Sequence, residues 1–388
     1  MTSQEIELIR QNAQLIKDNL SIKASTLALQ WSKLPHRKLL ISQVAALQKA
    51  QKKLPLWAQT NGIIWPSGLA VEQCSSQATA QLKASLVDGK QLIDITGGFG
   101  VDAYYLSKSF KKTTYIEQNS DLAQIAALNF EALNSGITVR NGDGRNLLKE
   151  SDADFVMVDP YRRDDGKNKV FALADCLPNV TKMLDDLVND ERSCLIKTSP
   201  MLDISLAVSQ LKFVREIWVV SVKNECKEVN YLLHKKHDNT VIKCFNIQPD
   251  KTDLYEYDFN KINTQKPTIS KTEKYLYEPN TSILKAGLQD ELAISFGLDK
   301  LNPNSHLYTN QQWEVNFPGK QFEILSEHSP NDKSLKGSRY NIIARNYGLK
   351  ANEIEKKLRI KPAEKEYLIA SKNHLGKPTL FKAILLNE

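Results

Sequence analysis

The sequence predicts an α/β protein: an open, mainly parallel sheet with helices on both faces, an N-terminal helical region before it and two small α+β modules after it. Two observations carry this. From Gln91 to about Val222, short apolar runs alternate with helical segments, the pattern of successive βαβ units. One of these runs, LIDI, empties into the glycine-rich turn TGGFG and then a helical segment, which brings backbone close to a ligand at the carboxyl end of a strand.

In chain order, ELIRQNAQLI and LISQVAALQKAQKK place apolar residues three and four apart with few breakers, so residues 3–53 read as helices. LPLWAQTNGIIWPSG is an irregular connection punctuated by proline and glycine, and a helix is expected from Glu72 to Val87. LIDI, TTYIE, ITVR, DFVMVD, SCLIK and EIWVVSV are the strand candidates. YYLSK, DLAQIAALNFEALN, FALADCLPNVTKMLDDLV and MLDISLAVSQL are the helical segments between them. EVNYLLHKK and TVIKCFNI extend the sheet as a terminal hairpin. The polar stretch from Gln248 to Lys274 reads as a linker, and the modules beyond it include a helix around Tyr340 to Asn346. The expected division is 1–70, 71–250, a linker 251–274, then 275–316 and 317–388.

At 388 residues the chain is too long for one ordinary core and ample for an enzyme. Its 41% hydrophobic and 25% charged residues exclude a disordered or fibrous chain. No apolar run approaches the roughly 20 residues needed to span a bilayer, and the start MTSQEIELIRQN lacks a secretion pattern, so a cytoplasmic protein is expected. Five widely spaced cysteines without CxxC read as reduced thiols; Cys226, His234, His237 and Cys244 match no zinc spacing, and no metal is expected. The net charge is +7, and residues 331–388 hold thirteen Lys and Arg against six Asp and Glu, a difference equal to that whole excess. A basic terminal module attracts a polyanion such as RNA.

The glycine turn alone fits two cofactors, because Gly98, Gly100 and Ala103 also satisfy a dinucleotide spacing. Asp94 separates them. A carboxylate beneath the loop repels a pyrophosphate and attracts a cation, which favours S-adenosylmethionine, with its ammonium and sulfonium, over NAD. Glu117 ends the second strand, nineteen residues after Gly98, where an acid holds ribose hydroxyls. Asp143, after the third strand, is placed to accept from an adenine amino group.

On these residues the chain resembles the class I S-adenosylmethionine-dependent methyltransferases over residues 70–225, with a Rossmann-like sheet. DITGGFGVD is the first motif, and the resemblance implies cofactor contacts at Asp94, Thr96, Gly97, Gly98, Gly100 and Asp102, with Thr96 departing from the motif's glycine. EQCSSQATAQLKA resembles the segment that closes over the methionine end in RNA methyltransferases, making Gln73 a further cofactor candidate; capping is the expected role of the two serines. With DPYRRDDGK, KTSPMLD and IIARNYGLKANEIEKKLRIK, nearly the whole chain is similar to a largely Bacteroidetes family of presumed methyltransferases. That likeness implies a ferredoxin-like insert and a C-terminal THUMP-like domain.

DPYRR follows the fourth strand. In enzymes that methylate exocyclic base nitrogens, a D/N-P-P-aromatic run supplies acceptors and a stacking ring. Asp159, the Pro160 carbonyl and Tyr161 take those parts here, although Tyr161 stands where the second proline would be. A cation about 4 Å from a nitrogen becoming positive costs about 4 kcal/mol at an effective dielectric near 20. Arg162 and Arg163 are therefore expected to face away from the reacting atom, binding a substrate phosphate or pairing with Asp164 and Asp165. Carbon-5 methylation needs a cysteine nucleophile, and KTSP has Ser199 in its place. The expectation is an N-methyltransferase of tRNA or rRNA; the alternatives are a catalytically silent RNA-binding protein and a small-molecule or protein methyltransferase.

Overall fold

The computed structural model describes residues 1–66, 68–162, 172–262 and 265–387. They form two compact units, Met1–Ile217 with Glu228–Asp238, and Trp218–Lys227 with Asn239–Glu388.

The first unit opens with helices Ser3–Gln11, Ala13–Asp18, Ala24–Gln30, Arg37–Lys53 and Pro55–Gln59. Thr2 and Glu5 cap the first reciprocally, and Pro55 starts the last, where a missing N–H costs nothing. Leu40, Val44 and Leu47, three and four apart, are buried along one face of Arg37–Lys53. They join one core with Ile6, Leu27, Trp57, Phe99, Tyr104 and Phe130, so the helical region is packed onto the glycine turn through Phe99. The helix expected from Glu72 to Val87 is instead two, Gly68–Gln73 and Gln77–Ser85, the second capped by Ser76, which accepts from Thr79 N at 3.2 Å.

The large sheet contains β1 Gly89–Asp94, β2 Phe110–Glu117, β3 Thr138–Asn141, β4 Phe155–Val158, β7 Ser193–Thr198, β8 Val214–Val222, β9 Glu225–Leu233, β10 Val241–Ile247 and β11 Thr252–Asp258; β5 Tyr161–Arg162 and β6 Cys176–Leu177 form a separate ribbon. The order is β11-β10-β8-β9-β7-β4-β1-β2-β3. β1 pairs in parallel with both β2 and β4, so the strand order reverses there and leaves a crevice at the carboxyl ends. β4 is buried along its whole length, as its unbroken apolar run requires.

In and beside this sheet, three further elements differ from the sequence reading. β9 is not part of a terminal hairpin: it lies between β7 and β8, antiparallel to β7 with Cys194 opposite Leu233. β11 occupies part of the expected linker; as an edge strand with no buried residue it has little apolar alternation to betray it. The described part of FALADCLPNVTKMLDDLV is short 3-10 turns, β6 and one turn of helix at Leu184–Leu187, because Pro178 cannot continue a helix.

The second unit contains the sheet of β12 Tyr275–Pro279, β13 Asp299–Lys300, β14 Tyr308–Asn310, β15 Gly319–His328, β16 Asn341–Ala344, β17 Glu366–Lys372 and β18 Pro378–Leu385. Its order is β13-β14-β12-β15-β18-β17-β16, so β12 beside β15 makes the two expected modules share one sheet. The helix expected around Tyr340 is strand β16, parallel to β17. Ile342 and Ile343 pack into cores on opposite faces, which removes the alternation that marks a strand buried on one side only.

Candidate active site

Past β1 the backbone turns through Gly97, Gly98 and Gly100, all at positive φ, before helix Val101–Leu106. At Gly97 a Cβ would lie 2.6 Å from Ile116 O, and at Gly100 one would lie 2.6 Å from Phe130 Cζ, so both positions require glycine. Tyr115 donates its hydroxyl to Gly98 O at 2.6 Å.

Asp94 sits beneath this turn, 3% exposed. Its Oδ1 accepts from Thr96 N at 3.0 Å and from Thr96 Oγ1 at 3.2 Å, while Oδ2 has no partner among the described residues. Burial pushes the carboxyl up to about 7, against the Thr96 backbone hydrogen bond, with Asp102 and Asp159 adding to the rise. Thr96 Oγ1 also accepts from Asp159 N at 2.7 Å. The residue that departs from the glycine motif therefore ties the end of β1 to the end of β4.

Glu117 reaches from β2 into the turn, accepting from Gly98 N and from Asn119 N, each at 2.7 Å. Asp143 caps helix Gly144–Lys149 and is gripped by Arg145, its ion pair at 2.6 Å holding the carboxyl below its ordinary value. That grip engages both oxygens expected to meet an adenine. Gly144 approaches the turn so closely that a Cβ would lie 2.1 Å from Ile95 O. Gln73 is exposed at the end of its helix.

Asp102 lies in a buried cluster, 8% exposed. Its carboxylate accepts from Ser75 Oγ at 2.7 Å and pairs with Lys197 at 3.0 Å and Lys83 at 3.1 Å. Burial acts to raise this carboxyl, but the two ammoniums overrule it and hold it far below the ordinary range. Lys83 also pairs with Glu228, which accepts from Asn230 at 3.1 Å. Ser75, read as a cap, instead stands between Asp102 and both lysines.

Lys197 completes the arrangement by pairing with Asp159 at 2.6 Å. Burial acts to lower its pKa, yet Asp102, Asp159 and Glu228 keep it well above the ordinary value, so it is a fixed cation. The Asp159 side chain is 46% exposed; Oδ2 faces Lys197 and Oδ1 has no partner among the described residues. Desolvation raises its carboxyl above the ordinary value, with Lys197 opposing, an effect that its open edge moderates. Two ammoniums thus meet three carboxylates, Asp102, Asp159 and Glu228, and the surplus negative charge is most accessible at Asp159.

Pro160 is buried and Tyr161 is 64% exposed, at the start of the β5–β6 ribbon. The Arg162 side chain and all of Arg163, Asp164 and Asp165 lie outside the described residues. Cys194 is fully buried in β7, its thiol pushed far up by burial, and Ser199 accepts from Met201 N at 3.3 Å in the turn beyond. The Cys194 thiol is therefore not poised as a thiolate nucleophile, and Ser199 has no thiol to offer. Lys83, Lys197, Ser75 and Glu228 were missed by the sequence reading. The available signal was a lysine closing the apolar run SCLIK, since a strand interior admits a cation only with a partner.

A crystal structure of a presumed methyltransferase from Porphyromonas gingivalis W83 superposes on the whole chain, covering 100% of both chains with a TM-score of 0.85 at 27% identity. A ferredoxin-like domain family matches residues 275–318 and a THUMP domain-like family matches residues 319–387. The chain is a methyltransferase-fold protein with ferredoxin-like and THUMP-like domains. More distant likenesses include the tRNA methyltransferase TrmK of Bacillus subtilis, at 16% identity, covering 41% of this chain and 64% of that one, TM-score 0.30. Another is a tRNA uracil methyltransferase of Pyrococcus abyssi in complex with S-adenosyl-L-homocysteine, at 17% identity, covering 45% and 40%, TM-score 0.29. No curated protein matches the chain in sequence. Among the described residues of this methyltransferase-fold protein, no helix is long and apolar enough to cross a membrane, and no group of three or more His, Cys, Asp and Glu is gathered to hold a metal ion.

Proposed function

We propose that the protein is a cytoplasmic S-adenosylmethionine-dependent methyltransferase that methylates a base nitrogen in tRNA or rRNA, with the THUMP-like module presenting the RNA. The observation that carries the reading is the pairing of two carboxylates linked through Thr96: Asp94, buried with a free Oδ2, and Asp159, half-exposed with a free Oδ1. The first fits an ammonium, because Asp94 is a carboxylate only 3% exposed whose Oδ2 is left over by the Thr96 hydrogen bonds, and a cationic donor there forms a charge-assisted hydrogen bond. The Gly97–Gly98 turn, where a side chain would collide with Ile116 O, leaves room for a ligand to lie against backbone.

When bound, S-adenosylmethionine supplies an electrophilic methyl on a sulfonium. Asp94 would hold its amino end, and Glu117, at the end of β2 beside the glycine turn, would hold its ribose hydroxyls. Asp159 orients the substrate N–H and accepts its proton, a positioned acceptor being worth about 10²–10⁴ in rate. The Pro160 carbonyl offers a second acceptor. Tyr161, with an exposed ring, stacks on the extruded base, a contact worth about 1–3 kcal/mol. Lys197 does not repel the methylated nitrogen because Asp102 and Asp159 lie against its ammonium. Arg162 and Arg163 complete the proposal as phosphate ligands.

Mass spectrometry of modified nucleosides in RNA from wild-type and deletion cells tests the reading: one methylated nucleoside disappears on deletion and returns with the wild-type gene but not with Asp159→Ala. Calorimetry that finds NADH bound and S-adenosylmethionine not bound overturns it.

A further inference from the structure

The C-terminal module is not the only basic part of the chain. Residues 1–66 hold nine Lys and Arg against three Asp and Glu, an excess of +6, whereas residues 67–330 hold thirty against thirty-six, a deficit of the same size. The positive charge is thus segregated to the two ends of the sequence, and the N-terminal share belongs to the unit that contains the candidate active site.

Helix Arg37–Lys53 organises part of this charge. Positions 38, 42, 45, 49 and 52 follow one another by four and three residues and so share a face. On that face Lys38, Lys49 and Lys52 are exposed, while Leu40, Val44 and Leu47 are buried on the other. The stripe is about 21 Å long from Lys38 to Lys52 at about 1.5 Å per residue. Its C-terminal end holds the segment that leads into the site: Lys49 pairs with Glu72 and Lys53 donates to Glu72 O, three residues before Ser75, which bonds Asp102 and Lys197. Between them, the Cys74 thiol is pushed up to about 11 by burial, with Lys53 and Lys197 pulling down and Asp102 pushing up, so one side chain senses both the stripe and the buried cluster. The helix is held in place by the core it shares with Phe99 of the glycine turn.

We infer that the exposed Lys38–Lys49–Lys52 face of helix Arg37–Lys53 is an RNA-phosphate contact surface that holds the substrate backbone beside the active site. It rests on the RNA reading above. An acidic protein is a weaker fit, because a face whose exposed residues on this helix are Lys38, Lys49 and Lys52, with only Ser42 and Ala45 between them, offers point charges to phosphates and little area for a packed interface.

The experiment measures binding of fluorescein-labelled bulk bacterial tRNA to the full-length protein by anisotropy across a salt series, comparing wild type with the Lys38→Ala/Lys49→Ala/Lys52→Ala triple variant. Each lost phosphate contact reduces the slope of log affinity against log salt by about 0.7–0.9. The wild type's affinity should therefore fall roughly twenty- to fortyfold further than the variant's between about 50 and 200 mM salt. The corresponding Lys→Arg triple should keep the wild-type slope, and S-adenosylmethionine binding and the melting curve should be the same in all three proteins. Equal slopes in wild type and Ala variant overturn the inference alone. Wild type that binds S-adenosylmethionine but no tRNA or rRNA at about 50 mM salt overturns the RNA reading with it.

Discussion

Asp94 makes cofactor binding depend on pH in a direction that can be worked out. Its carboxyl titrates at about 7 in the folded protein, against about 3.9 in an unfolded chain. A cationic ligand binds the ionised form, so the apparent dissociation constant scales with the fraction ionised: about 11-fold weaker at pH 6 than at the plateau, about twofold weaker at pH 7 and unaffected to within roughly 10% at pH 8. Replacing the charge removes an attraction of about 4 kcal/mol at about 4 Å and an effective dielectric near 20, so Asp94→Asn should weaken binding roughly a thousandfold. The ligand's own α-amino group loses its proton at about 7.7–8.0, which adds a separate alkaline limb. Calorimetric titration with S-adenosylmethionine from about pH 5.5 to 8.5 at fixed ionic strength reads both limbs. The acid limb should vanish in Asp94→Asn and the alkaline limb should remain. A wild-type affinity that changes less than twofold between about pH 6 and 8, or an identical acid limb in the variant, refutes the reasoning. Stability carries the same sign: between about pH 4 and 7 the folded state keeps a proton the unfolded state has lost, so stability falls as pH rises through that window and is flat above it, by up to about 4 kcal/mol.

Asp159→Asn should lower turnover about 10²–10⁴-fold on RNA from deletion cells while changing S-adenosylmethionine affinity less than twofold; equal turnover would remove Asp159 from the chemistry. Lys197→Met strips a buried ammonium from Asp102 and Asp159 and should cost about 3–5 kcal/mol in denaturant unfolding, more than an exposed lysine would. Gly97→Ala forces a side chain into a positive φ and onto Ile116 O, and should cost about 1–3 kcal/mol with a matching loss of S-adenosylmethionine affinity, whereas Gly136→Ala, with open space around it, should do neither. In the second unit, Asp290 accepts from Lys300 and Tyr308, each at 2.7 Å; burial acts to raise its carboxyl, but Lys300, Lys266 and Tyr308 bring it down to about 2. Asp290→Ala should cost about 3–5 kcal/mol. The wild-type contribution is present above about pH 4 and lost as pH falls through about 2, which acid unfolding of the two proteins reads directly.

The α/β architecture, the glycine turn and the strand-end acids were legible because each is a local pattern. Apolar runs of strand length between helical repeats specify βαβ units, and a turn that needs positive φ needs glycine at Gly97, Gly98 and Gly100. Asp94, Glu117 and Asp159 could be placed because each directly follows or ends such a run. What failed had a local pattern that misled. β16 packs apolar residues on both faces, Ile343 buried and Ile342 partly so, and lost its alternation, β11 is an edge strand with no buried residue, and Ser75 resembled a cap but has buried partners far along the chain.

The sequence by itself determined which residue types end which strands, and hence that carboxylates gather where the sheet presents its crevice. Only the tertiary structure decided what those carboxylates face. Lys83 meets Glu228 across 145 positions and Lys197 meets Asp102 across 95, separations at which no spacing rule operates. The fold brings them together because β9 inserts beside β7, and ammoniums buried there are tolerable only against carboxylates already in place. That partnership leaves Asp159, at the head of DPYRR, as an accessible carboxylate held by a buried lysine.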